Sequence, residues 1–231
     1  MNLWQDFQTH TGKSVLKWHH YFPIYEKHLS PWRNKTLTII EIGTFKGGSL
    51  QMWRRFFGPM ATIVGIDIDP SCKAHEQEGV HVRIGDQSDP KFLASILEEF
   101  GQPDIVIDDG SHQMEHIRKS FEFLYPKLSK NGLYIAEDLH TCYFEEFGGG
   151  LSKQDTFINI SKRFIDSLNA DHSRGALEPD FMTRHTFGIS FYDSVIVFER
   201  GTIPIKGMVA SGKEIPNIPP SIYNQHRKHQ V

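Results

Sequence analysis

The sequence predicts an α/β fold: a doubly wound, mostly parallel sheet that ends in an antiparallel hairpin. Three observations carry this. Short apolar runs alternate with helix-like segments from about residue 36 onward, the runs are nearly all apolar, and the links between them are short. Strands buried on both faces read as continuous hydrophobic runs, and a repeating β-α order puts helices on both sides of a parallel sheet. The crossovers should be right-handed.

The elements follow in order. Residues 37–42 (LTIIEI) read as a buried strand closed by Gly43, and a short helix rich in aromatics and arginine follows over 50–57. Residues 61–67 (ATIVGID) are a second strand, which Pro70 prevents from continuing. A third, 80–84 (VHVRI), ends at Gly85-Asp86. Asp89 is placed to cap a helix with Pro90 at its first position; Phe92, Leu93, Ile96, Leu97 and Phe100 give its apolar face, and Gly101 ends it. The fourth strand is 104–108 (DIVID). Ile117, Phe121, Leu124 and Leu128 mark one face of a helix stopping before Asn131-Gly132, and 132–136 (GLYIA) is the fifth strand. A glycine-rich loop, 144–150 (FEEFGGG), leads into an amphipathic helix with Phe157, Ile158, Phe164, Ile165 and Leu168 facing inward. After a polar stretch over 170–184, residues 187–198 hold two strand-like runs around Tyr192-Asp193. So tight a link permits only antiparallel pairing, a hairpin at the far end of the sheet. The boundaries predicted are an N-terminal helical segment over 1–35, one domain over 36–200 and a Pro-rich tail over 201–231.

Composition narrows the function classes. The 231 residues suit one domain with a substantial core, and 39% apolar and 23% charged content is ordinary for a globular chain. A net charge of −3 gives no basic field to attract nucleic acid. The locally basic 225–229 (QHRKH) reads as a solvated terminus. Two distant cysteines, Cys72 and Cys142, imply neither a disulfide framework nor a cysteine zinc site, which suits the cytoplasm. No signal peptide is legible at the N-terminus, and no apolar run approaches the roughly 20 residues that span a bilayer.

In an open parallel sheet, ligands sit beyond the C-terminal strand ends where strand order reverses. Residues 41–49 (EIGTFKGGS) follow the first strand and so occupy that place. A missing Cβ at Gly43 permits close approach to the backbone, and the next helix start offers N–H groups to an anion. The segment lacks the lysine of a Walker loop, and Phe45 breaks the dinucleotide fingerprint G-x-G-x-x-G. Its E-x-G-x-x-x-G arrangement resembles motif I of the class I S-adenosylmethionine methyltransferases, whose sheet has seven strands. That resemblance implies cofactor contacts from Gly43, Thr44, Gly47 and Ser49, with Glu41 holding the amino end or the loop. A glycine turn with no ligand is the alternative. Asp67 ends the second strand, where an acid accepts ribose hydroxyls in Rossmann proteins. The resemblance places Asp86 near the adenine and Asp108 within the same cofactor site.

Residues 108–116 (DDGSHQMEH) parse in two ways. The last five match the inverted zinc-peptidase motif H-x-x-E-H, but His112 follows a strand too closely and no further zinc ligand is evident. The first five put Asp109 at the mouth of the fourth strand, as Glu137 and Asp138 are at the mouth of the fifth. Like charges so close repel unless a cation sits among them, and oxygen ligands favour Mg²⁺ or Mn²⁺. Solvated helix-capping acids are the plainer reading.

D-G-S-H at 109–112 followed by Glu137-Asp138 resembles the Mg²⁺-dependent sugar O-methyltransferases of macrolide and related glycoside biosynthesis, near the cephalosporin hydroxylase family. The likeness covers about residues 10–200 and extends to 19–25 (HHYFPIY); catechol O-methyltransferases are more distantly similar. It implies Asp109, Glu137 and Asp138 as metal ligands, His112 as base, and a hydroxylated small molecule as acceptor, without nucleic acid or membrane. The expected reaction is methylation of one hydroxyl of a vicinal diol on a sugar or glycosylated natural product. A catechol or phenol acceptor, and a protein that binds S-adenosylmethionine without transferring methyl, remain alternatives. Ser111, His116 and His140 are either orienting groups or caps, 144–150 either a lid or a plain loop, and a homo-oligomer is left open.

Overall fold

The computed structural model describes residues 1–203. Seven strands form one sheet in the order β3-β2-β1-β4-β5-β7-β6. β1 (Leu37–Ile42), β2 (Ala61–Asp67), β3 (Val80–Ile84), β4 (Ile105–Asp108) and β5 (Leu133–Ala136) run parallel. β7 (Val195–Arg200) pairs antiparallel with both β5 and β6 (Thr186–Tyr192). The hairpin therefore inserts its second strand beside β5 and leaves its first at the edge. Strand order reverses between β1 and β4, where an open sheet leaves a crevice.

Side-chain alternation divides the core in two. Ile39, Ile63, Ile105, Ile107, Ile135 and Val197 share a cluster with α1 (Leu3–Thr9), α2 (Phe22–Leu29) and α3 (Gly48–Phe57). Their neighbours Ile40, Val64, Val106, Tyr134 and Phe198 face α4 (Pro90–Phe100), α5 (Met114–Leu124), α6 (Phe157–Asn169) and α7 (Phe181–His185). Both faces are thus buried, which is why the strands carry so few polar residues. An aromatic group centred on Phe121 fastens the second layer: its ring lies 4.5 Å from Phe198, 4.8 Å from Tyr125 and 5.4 Å from Phe157.

Local expectations largely match, with three instructive differences. Asp89 caps α4 by accepting from Lys91 N, and Gly101 ends it, as the sequence indicates. α5, however, stops at Leu124 and passes into a 3₁₀ turn, Tyr125–Lys127. Pro126 has no N–H to continue the α-helical ladder, so Leu128 reaches the core from outside the helix. Ile165 is 48% exposed, not inward-facing. At 100° per residue, Phe157, Ser161, Phe164 and Leu168 form one stripe and Ile165 falls to its side. Asp104 precedes β4 rather than opening it, and its carboxylate accepts from Thr38 N at 2.9 Å. The predicted tail over 201–231 lies almost wholly outside the described residues, as does the basic 225–229 segment. No helix among the described residues is long and apolar enough to cross a membrane.

Because Phe198 and Phe121 join the sheet to α5 and α6, Phe198→Ala should lower unfolding free energy by about 3–5 kcal/mol. Urea denaturation followed by circular dichroism measures this; a loss under about 1 kcal/mol would mean the cluster is not a core.

Candidate active site

A cleft of about 1080 Å³ opens over the C-terminal ends of β1, β2, β4 and β5. Parallel pairing is what assembles it. Ile42 lies level with Ile66 and Asp108, and Asp108 with Ala136, so the residues that leave each strand next emerge side by side. Gly43, Thr44, Ser49, Asp67, Asp86, Asp109, His112, Glu137 and Asp138 line it, as expected of site residues. Glu41, Gly47 and Asp108 do not.

The loop after β1 is braced by charge. Asp67 Oδ2 accepts from Thr44 N at 2.8 Å and Phe45 N at 3.1 Å, while Oδ1 accepts from Asp69 N at 2.9 Å. Burial works to raise its pKa, but these backbone donors hold it below the usual carboxylate value. Gly43 has φ +87°, and a Cβ there would stand 2.1 Å from the Asp109 carbonyl oxygen. The close approach it permits is thus to the β4 mouth as well as to any ligand. Gly47, at φ +73°, is the left-handed residue before α3, and its bare face packs on the His75 ring.

Glu41 and Asp108, both expected in the cofactor site, point into the protein. Glu41 accepts from Trp53 Nε1 at 2.9 Å and Ser49 Oγ at 2.8 Å, tying β1 to the start of α3. Asp108 accepts from Tyr134 OH at 2.5 Å and Gln87 Nε2 at 3.0 Å. Burial raises each carboxyl to about 7 against these stabilising donors. Asp86 faces the cleft, but its Oδ1 accepts from Ser88 N at 2.7 Å.

At the other end of the cleft the acids of β4 and β5 converge. Asp109, His112 and Asp138 each present a ligand-type atom, all within 4.8 Å of one another. His112 Nε2 is 3.8 Å from Asp138 Oδ2. Both residues have left-handed backbones, φ +58° and +54°. Such conformations cost residues with a Cβ about 1–2 kcal/mol and collect at functional sites. The two carboxylates at this spacing fit a hard divalent cation, with the imidazole nitrogen close enough to serve its neighbour.

Glu137 stands apart from that trio: its Oε1 accepts from Tyr25 OH at 2.8 Å and its Oε2 from Lys17 Nζ at 2.8 Å. Burial pushes this carboxyl up and Lys17 opposes it. Lys17 Nζ also donates to Asp109 Oδ2 at 2.6 Å and lies 3.9 Å from Glu41. Tyr21 OH donates to Asp138 Oδ1 at 2.7 Å. Burial would lower the Lys17 pKa, but Asp109 and Glu137 hold it well above the usual value, so the side chain stays a cation. Lys17 has no legible motif. Tyr21 and Tyr25 fall within the 19–25 segment already singled out, and Gln87 carries no signal beyond following Asp86.

Residues 40–139 match the family Methyltransf_24, described as a methyltransferase domain. The chain carries a methyltransferase domain. The chain is 38% identical over 200 residues to demethylmacrocin O-methyltransferase of Streptomyces fradiae, covering 80% of this chain and 50% of that protein. It is 36% identical over 196 residues to 8-demethyl-8-alpha-L-rhamnosyl tetracenomycin-C 2'-O-methyltransferase of Streptomyces olivaceus, covering 80% and 51%. The chain therefore spans about half the length of the curated relatives it matches. The MycE methyltransferase from the mycinamycin biosynthetic pathway, solved with Mg and SAH, superposes with a TM-score of 0.77 at 31% identity, over 94% of this chain and 57% of that one. The MycE complex with Mg, SAH and mycinamycin VI gives 0.74 at 32%, over 85% and 54%.

Gly43→Ala in this methyltransferase domain should cost about 2 kcal/mol or more, since the new methyl meets backbone and φ is positive. A thermal melt unchanged from wild type would disprove this account of the loop.

Proposed function

We propose that the chain is a metal-dependent S-adenosylmethionine O-methyltransferase acting on one hydroxyl of a vicinal diol, carried on a sugar or glycosylated natural product. The observation that carries this reading is the trio Asp109, His112 and Asp138, gathered at one end of the cleft whose other end is the Asp67-braced loop. Relatives named as sugar O-methyltransferases, and a structural relative solved with Mg and SAH, support both the reaction class and the cofactor pair. Two free, buried cysteines suit a reducing cytosol.

Asp109 and Asp138 would hold the cation, joined by Glu137 once its present partners yield. When bound, the cation would lower the pKa of a neighbouring hydroxyl, and the sulfonium would supply the methyl group. The chain's own part is placement and proton transfer. His112 Nε2 takes the hydroxyl proton. Asp138, beside that nitrogen, favours the imidazolium that results. The loop over 43–49 and Asp67 would hold the donor at their end of the cleft, so that positioning supplies part of the rate. The segment over 1–35 would cover the donor through Ser14, His19 and Tyr21, which line the cleft.

His112→Ala should lower kcat by about 10²–10⁴-fold while S-adenosylhomocysteine affinity, measured by calorimetry, stays within about twofold. A comparable loss in cofactor affinity would remove His112 from the role of base. Methylation of pooled glycoside and diol acceptors, read by product mass spectrometry, should stop with EDTA and return with Mg²⁺. Activity indifferent to chelator would retire the metal. Binding of S-adenosylmethionine with no product from any acceptor would favour a binding protein.

A further inference from the structure

Lys17 borders the divalent-cation site just proposed, and its role here rests on that site. Lys17 Nζ sits 2.6 Å from Asp109 Oδ2 and 2.8 Å from Glu137 Oε2, with its side chain only 3% exposed. It comes from a stretch without helix or strand between α1 and the 3₁₀ turn His19–Tyr21. Upstream, that stretch is well fixed: Lys13 N donates to Gln51 Oε1 at 3.0 Å, and the Ser14 carbonyl packs so tightly that a Cβ on Gly48 would be 2.2 Å from it. Downstream it is not. Leu16 and Trp18, the neighbours of Lys17, are 81% and 54% exposed, and the Trp18 ring makes a tilted contact with His20 and an edge contact with His140. Val15 packs partly on the core and the Trp18 carbonyl accepts from Tyr21 N at 3.1 Å; beside these two contacts, the Lys17 ion pairs hold residues 15–18 to the cleft.

The same ion pairs divide the acids. Asp109 can serve a cation with Asp138, yet Oδ2 is already held by an ammonium, and Glu137 is turned toward that ammonium and Tyr25. A divalent cation on Asp109 would repel Lys17 at this range, and neither carboxylate can satisfy both cations fully. We propose that Lys17 is the resident counter-ion of Asp109 and Glu137 and competes with the divalent cation for them, so that metal loading displaces Lys17 and frees residues 15–18 from the cleft. Displacement would release Glu137 Oε2, which unites Glu137 with Asp109 and Asp138 as the ligand set the sequence suggests. Metal binding and access to the cleft are then one event.

The test uses the full chain, Mn²⁺ and no acceptor. Calorimetry should show Lys17→Met binding Mn²⁺ at least about tenfold more tightly than wild type, with Lys17→Arg close to wild type. In the wild-type protein, Mn²⁺ should speed amide hydrogen exchange at residues 15–18. Equal or weaker Mn²⁺ binding by Lys17→Met overturns the competition. Tighter binding without faster exchange in wild type means that charge alone is at work, and overturns the displacement. No Mn²⁺ binding by any form removes the cation site itself, and this proposal with it. Should Lys17→Met fail to fold by circular dichroism, the wild-type exchange result decides.

Discussion

Negative charge at the C-terminal edge of the sheet is the constraint around which this structure is arranged. A parallel sheet brings the strand ends of β1, β4 and β5 together, and each carries acids at or beside that end: Glu41, Asp108, Asp109, Glu137 and Asp138. Burying even one uncompensated carboxylate costs several kcal/mol. Each of the five is met by specific donors instead. Trp53 and Ser49 serve Glu41, Tyr134 and Gln87 serve Asp108, and Lys17, Tyr25 and Tyr21 share the rest. Among the described residues no buried side-chain nitrogen or oxygen is left without a partner.

That compensation separates acids that hold the scaffold from acids that face the cleft. Glu41 is the second-last residue of β1 and Asp108 the last of β4, and their pairings bolt β1 to α3 and β4 to β5 and the turn after β3. Asp109 and Asp138 lie one step further out, remain about a fifth exposed, and keep company with His112. A single residue of depth thus separates a structural carboxylate from one free to meet a ligand. The left-handed backbone at His112 and Asp138 fits this picture, because local strain is being held in place where the chemistry is expected rather than relaxed away.

Much of the fold was legible because its signals are local. Continuous apolar runs, the Asp89-Pro90 cap and the Tyr192-Asp193 turn act over a few residues, and each does in the structure what its chemistry suggests. The misreadings came where a local pattern met a competing one. Leu128 continues the helical spacing of α5, but Pro126 ends the ladder first; Ile165 is apolar, but lies beside the stripe that faces the core. In the candidate site, adjacency of strand ends placed Asp67, Asp109, His112, Glu137 and Asp138 around one cleft. The inward aim of Glu41 and Asp108 was not legible, since it depends on Trp53 and Tyr134 approaching from other elements.

By itself the sequence determined which elements form and which residues stand at the strand mouths, because hydrophobic period, caps and turns are properties of neighbouring residues. Only the tertiary structure decided how the acids are neutralised. Lys17 is 92 residues from Asp109 and 120 from Glu137 along the chain, and no spacing rule joins them. Electrostatic pairing acts through space, so the partner of a buried charge becomes known only when the N-terminal segment is laid over the sheet.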